Sequence, residues 1–215
     1  LFVDYQNMYR SAREAFGWES MGGHYGNFRP YGLGRQAVRG GERVLEQVRV
    51  YTGIHTPQRN PAQYGQMQRR MLAWVAEEPQ KVQVFPRPLR YGEHRPPQEK
   101  GVDVELAIDL VALAVDDAYD VLVLASADTD LVPALQFVAD RFPEKQIVTL
   151  GYQPLEHCTA PAPLDLPRGT VERRLITKRD FDRIADRTNF YLSENDRSHQ
   201  LDPDRVTRIQ RGYAS

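Results

Sequence analysis

The sequence predicts an α/β protein, a parallel sheet flanked by helices in three layers. Three observations carry that prediction. Short apolar runs at 1–4, 47–51, 82–85, 120–126 and 146–150 alternate with stretches of helical periodicity. The run 120–126 is apolar and β-branched through its middle, the composition of a parallel strand buried on both faces. The lengths between the runs suit right-handed helical crossovers, which parallel strands require.

Residues 1–4 form an apolar run ending in an acid, and residues 7–16 follow with helical spacing and Asn7 as a cap, one strand-to-helix unit. Residues 17–41 are rich in glycine and carry His24, Tyr25, Phe28 and Tyr31, which predicts a long loop insertion rather than a packed element. Residues 47–51 read as a strand. Asn60 and Pro61 have the form of a helix cap and first helical residue, and Tyr64, Met67, Met71, Trp74 and Val75 then recur on one helical face as core. Residues 82–85 are a third strand, followed by a polar, turn-rich stretch to Gln98. A helix starts near Val102, and 120–126 is the expected central strand. A further helix opens near Pro133 with Leu131, Ala134, Leu135 and Val138 on one face, and 146–150 closes the series. These elements make one domain over 1–152. Four of the fifteen prolines fall in 152–168, a short helix follows at 178–187, and 193–215 is a polar tail, so 153–215 reads as a C-terminal extension.

With 41% apolar and 27% charged residues, the 215-residue chain suits one globular core. The net charge of -1 conceals a segregation: residues 29–95 hold twelve Lys or Arg against five Asp or Glu, whereas 96–140 hold Lys100 against ten acids. Cys158 is the single cysteine, which excludes an internal disulfide and gives no sign of an oxidising compartment. No apolar run approaches the roughly 18 residues that cross a bilayer, so no membrane partner is expected and a cytoplasmic location is. The chain opens on a strand, without an initiator Met or the regions of a signal peptide, and the start of that strand is expected upstream.

In open α/β sheets, ligands bind outside the carboxyl ends of the strands, where loops converge. Asp4 ends the first strand, and Asp128 and Asp130 immediately follow the 120–126 strand, so three carboxylates point to one edge. Steps of about 100° per helical residue put Asp103 on one face with Ala107, Leu110 and Ala114, and Glu105, Asp109 and Asp116 opposite. An acid on an apolar face demands a counter-charge, a hydrogen-bond network or a metal. Clustered carboxylates repel one another and take up protons unless a divalent cation neutralises them, and Mg²⁺ or Mn²⁺ suits an all-oxygen donor set. No His/Cys spacing suits zinc. Taken singly, each acid has an ordinary alternative as a cap, a turn or a solvated charge, the preferred reading for Asp109, Asp116, Asp117 and Asp120.

Three phrases, Phe2-Val3-Asp4-Tyr5-Gln6-Asn7, Lys100-Gly101-Val102-Asp103-Val104-Glu105-Leu106-Ala107-Ile108-Asp109 and Ser126-Ala127-Asp128-Thr129-Asp130-Leu131-Val132-Pro133, resemble in order and context the signatures of NYN domains. The resemblance covers about residues 1–152. It implies a PIN-like (NYN) fold and metal-dependent endoribonuclease activity that leaves 5′-phosphate and 3′-hydroxyl ends. It also implies that Asp4, Asp103, Asp128 and Asp130 are the metal-binding acids, with Asn7 and Ser126 as nearby polar positions. Asp109 matches a recurrent acid but ranks as supporting, because helical geometry places it opposite Asp103. Tyr5 and Ala127 stand where many relatives have glycine; neither change removes a ligand.

An acidic pocket repels a polyanion, so flanking cations must supply the phosphate contacts. Arg29, Arg35, Arg39, Arg43, Arg87, Arg90, Arg95 and Lys100 are the candidates, and Tyr25, Phe28, Tyr31 and Tyr91 would stack unpaired bases. The expected partner is single-stranded or looped RNA, and a homo-oligomer is compatible with this reading. Two rivals stand beside it: a non-cleaving RNA-binding module of the same fold, and a nucleotide-sugar transferase using Asp128-Thr129-Asp130 as its metal motif, which leaves Asp4 and Asp103 unexplained.

Overall fold

The structure, a computed structural model, describes residues 1–93 and 95–190. Its elements are β1 (Phe2–Asp4), α1 (Tyr5–Ala15), α2 (Pro30–Ala37), β2 (Val48–Ile54), α3 (Pro61–Glu77), β3 (Val82–Pro88), β4 (Arg90–Gly92), β5 (Arg95–Gln98), α4 (Val102–Val115), β6 (Val121–Ala125), α5 (Val132–Arg141), β7 (Gln146–Tyr152), β8 (Glu172–Ile176) and α6 (Lys178–Ile184). Six strands form one parallel sheet in the order β3-β2-β1-β6-β7-β8, and β4 and β5 form a small antiparallel hairpin outside it.

Strand geometry sends alternate side chains to opposite faces, and the two cores follow that period. Val3, Val50, Val84, Val123, Val148 and Leu150 pack under α1, α2, α3 and α6, whereas Phe2, Tyr51, Leu122, Leu124 and Ile147 pack under α4 and α5. This is the predicted three-layer α/β/α arrangement. Successive strands run outward on one side of β1 through β2 and β3, then on the other through β6, β7 and β8. The order therefore reverses between β1 and β6, and that reversal opens the crevice in which such sheets bind ligands.

Three regions differ from the sequence reading. Residues 17–41 are not a loop throughout, because α2 occupies 30–37 and Phe28 and Leu33 are fully buried. The glycines that suggested a loop serve packing: a Cβ on Gly34 would lie 2.8 Å from Leu45 Cδ2 and 3.0 Å from Val48 Cγ2, so α2 approaches β2 only with glycine there. The turn-rich stretch before Gln98 contains the β4–β5 hairpin. The extension supplies β8, which pairs along β7 as the sheet's sixth strand. Its sequence, Glu-Arg-Arg-Leu-Ile, opens on three charged residues, as an edge strand can, and lacks the continuous apolar run of a central one. Helix α6 lies within the short helix expected at 178–187, and the polar tail at 193–215 falls outside the described residues.

Candidate acidic site

Asp4 is the last residue of β1 and the N-cap of α1. One carboxylate oxygen accepts from the Asn7 backbone N–H at 3.1 Å, so Asp4 is the cap, not Asn7 as the sequence suggested. The other oxygen accepts from the Ser126 hydroxyl at 3.3 Å. Ser126 is fully buried, and its Oγ in turn accepts from the Asp128 N–H at 3.1 Å. The Asn7 side-chain oxygen accepts from the Ala127 N–H at 2.9 Å. Thus the loop after β6 is clamped onto the first turn of α1 across the β1–β6 crevice. Asp128 caps the 3-10 turn Thr129–Leu131 by accepting from the Asp130 N–H at 3.1 Å.

The Asp4 carboxyl is 7% exposed and pushed up to about 7. Burial is the main cause, with the negative fields of Glu99 and Asp128 adding to it; the bonds from Asn7 and Ser126 oppose the rise without cancelling it. Glu99 enters the site from the segment just before α4. It accepts from the Gly53 N–H at 2.5 Å at the carboxyl end of β2, and its own carboxyl is raised by burial and then by Asp103, against the pull of that bond and of Arg10. Gly53 permits the approach, since a Cβ there would stand 2.6 Å from Glu99 Oε1. Sequence reasoning missed Glu99 and Arg10; the signal for Glu99 was its place directly before Lys100-Gly101-Val102-Asp103.

Asp103 is half-buried in the first turn of α4, at the positive end of the helix dipole. It follows Gly101, whose φ of +75° favours glycine at the N-cap. The buried row of α4 is Val102, Leu106, Leu110 and Ala114, and Asp103 flanks it beside the part-exposed Ala107. Asp103 and Asp130 line opposite walls of one apolar groove between α4 and α5. Glu99 and Asp128 thus act on Asp4, Asp103 acts on Glu99, and Asp130 shares the groove with Asp103, an acidic rim strung along the switch point. Among the described residues no three Asp, Glu, His or Cys side chains stand close enough to share one ion. Such spaced oxygen donors suit a hydrated divalent cation that takes one or two carboxylates plus substrate phosphate, and do not suit an ion held in an all-protein cage.

Asp109 lies elsewhere. It sits two turns along α4 from Asp103, roughly 9 Å by helical rise, and accepts from Arg49 at 2.5 Å and from the Tyr51 hydroxyl at 2.7 Å. Its carboxylate is 15% exposed, so it ties α4 to β2 rather than facing solvent.

The basic candidates divide. Lys100 is exposed directly before α4, and the Arg87 guanidinium lies 3.7 Å from where a Gly101 Cβ would stand while pairing with Glu105, so both flank the acidic rim. Arg90 is exposed on the hairpin. Arg29 instead pairs with Glu77 and donates to the Arg183 carbonyl, joining α2 to α3 and α6. Arg35 follows Gly34, which packs against Val48 at the start of β2, the sheet edge opposite Asp4. Arg43 bonds Gln146 and Glu172, the first residues of β7 and β8, at that same far edge. Tyr31 packs against the core, and Phe28, buried with its ring tilted against Tyr5, is closed to bases. Among the described residues no helix is long and apolar enough to cross a membrane.

The family model of the NYN domain matches residues 1–157. No functionally curated protein matches the sequence. Among solved structures, a protein of unknown function from Vibrio parahaemolyticus RIMD 2210633 is similar at 21% identity, over 70% of this chain and 78% of that one, with a TM-score of 0.46.

Proposed function

We propose, from the premise that this chain belongs to the NYN domain family, whose members generally are PIN-like nucleases using divalent metals, that it is a metal-dependent endoribonuclease acting at its acidic rim. One observation carries the reading: a buried Asp4 carboxyl, hydrogen-bonded to Ser126 at the β1–β6 switch point and crowded by the charges of Glu99 and Asp128, which help push it up. Structural capping alone does not need that crowding of charge, which costs stability at neutral pH.

Asp4, Asp103, Asp128 and Asp130 are the residues that would hold Mg²⁺ or Mn²⁺, one or two carboxylates to an ion. The ion would supply Lewis-acid polarisation of a phosphodiester and an activated water for in-line displacement. The chain's own contribution is placement. Ser126 fixes the free oxygen of Asp4 and the backbone of Asp128 together, and Asn7 holds the loop between them. With its carboxyl pushed up to about 7, Asp4 would give up its proton to a bound cation within the physiological range. Lys100 and Arg87, beside the rim, would meet the backbone of single-stranded or looped RNA and offset its repulsion from the acids.

The test is cleavage of end-labelled single-stranded and structured RNA by wild type and Asp128→Asn in Mn²⁺, Mg²⁺ and EDTA. Asp128→Asn keeps the shape of the cap and removes the charge. The expected result is metal-dependent cutting in the wild type, at least about a hundredfold slower in the variant. RNA binding without cutting under every condition would reassign the protein as a non-cleaving RNA-binding module.

A further inference from the structure

On the other side of α1 from the acidic rim lies a cavity of about 690 Å³, within the roughly 300–1,000 Å³ of small-molecule sites. Its wall begins at Tyr5 and Gln6, the two residues after Asp4, and continues through Asn27, Gln66 and Arg70 of α3 to Arg187. Among the described residues no Asp or Glu lines it, so a cationic, amide-rich pocket stands one residue away from an anionic one.

Two groups give it a specific chemistry. Arg70 donates to Asn27 Oδ1 at 3.1 Å, its guanidinium lies 5.5 Å from the Phe190 ring centroid, and its buried Nε has no hydrogen-bond partner among the described residues. A buried N–H without an acceptor is costly, and a guanidinium with donors to spare suits a phosphate oxygen. Arg187 is 76% exposed at the rim and only loosely paired, its Nη2 3.8 Å from Asp182. The amides of Gln6 and Gln66 supply both donors and acceptors, as needed at the edge of an unpaired base.

We propose that this cavity is an RNA subsite that takes one unpaired nucleotide flanking the scissile position, with its phosphate on Arg70 and Arg187 and its base against Gln6 and Gln66. The inference rests on the ribonuclease reading and adds where the strand runs: from the acidic rim over the first turn of α1, not across the distant Arg35 and Arg43. The site recovers in phosphate contacts the binding that the acidic rim repels.

Binding of a fluorescent single-stranded oligoribonucleotide to the full chain in EDTA, over about 50 to 200 mM salt, tests it. The expected result is that Arg70→Gln/Arg187→Gln binds about tenfold more weakly, with a log–log salt slope shallower by about 0.7, the value for one phosphate neutralised on a single strand. Arg173→Gln, paired with Asp165 on the surface of β8, should match wild type. Gln66→Glu places a carboxylate in the cavity one helical turn before half-buried Arg70, where it would occupy the guanidinium and repel phosphate, and should weaken binding as well. If the double variant or Gln66→Glu folds, judged by its thermal melt, and binds like wild type with the same slope while wild type still cuts RNA in Mn²⁺, the subsite is refuted and the nuclease reading stands. A wild type that neither binds nor cuts RNA refutes both.

Discussion

Asp4→Asn should stabilise the metal-free protein at pH 8 while abolishing its response to metal. The folded carboxyl titrates at about 7, against an ordinary value of 3.8. Unfolded Asp4 ionises above pH 3.8 whereas folded Asp4 stays protonated until about 7, so the native state loses stability across that interval and the whole loss is present above it. At about 1.4 kcal/mol per pH unit, the loss is roughly 4 kcal/mol. Asparagine keeps the cap, since its Oδ1 still accepts from the Asn7 N–H, but it forces Ser126 to rearrange its hydroxyl bond, which returns about 1 kcal/mol. A net gain of roughly 2–3 kcal/mol corresponds to a rise of about 5–10 °C in Tm for a chain of this size. Thermal melts of both proteins in EDTA at pH 4 and pH 8 measure it. The gap should be wide at pH 8 and nearly closed at pH 4. Added Mn²⁺ should raise the wild-type Tm and leave the variant unmoved. A wild type as stable as Asp4→Asn at pH 8, or a gap of equal size at both pH values, would refute the account of Asp4 as a strained acid awaiting a cation.

Glu99→Gln should shift the acidic limb of the cleavage–pH profile to lower pH, because removing the Glu99 charge lets Asp4 ionise more easily; an unmoved or raised limb would show that Glu99 does not act on Asp4. Asp109→Ala should cost about 2 kcal/mol or more by removing the carboxylate that Arg49 Nη2 and the Tyr51 hydroxyl share between α4 and β2. Cleavage per folded molecule in that variant should stay near wild type, and a selective loss of kcat would place Asp109 in the site. Phe28→Ala should lower stability by about 3–5 kcal/mol, read by urea unfolding, since Phe28 is fully buried against Tyr5; a change in RNA affinity without a change in stability would restore it as a stacking residue.

Much of this protein was determined by sequence patterns that act locally. Strand period, the apolar run at 120–126 and the Asn60-Pro61 start of α3 are governed by backbone sterics and nearest-neighbour burial, so they were legible along the chain. The same holds for the placing of Asp4 and Asp128 at strand ends, because a parallel sheet sends all its carboxyl ends to one edge. What tertiary structure alone decided are the relations that compare distant segments. Gly34 reads as a helix breaker until Leu45 and Val48 press against it, and Glu-Arg-Arg-Leu-Ile becomes a strand only because β7 offers an open edge. Phe28 looked like an exposed base platform until the sheet and Tyr5 closed over it. Glu99 joined the acids through a bond to Gly53, 46 residues away, and Asp109 left them through Arg49 and Tyr51. Charge and hydrogen bonding act through space, and a sequence orders residues only along the chain; which carboxylate is neutralised by an arginine and which is left crowded was settled by the folding of one segment against another.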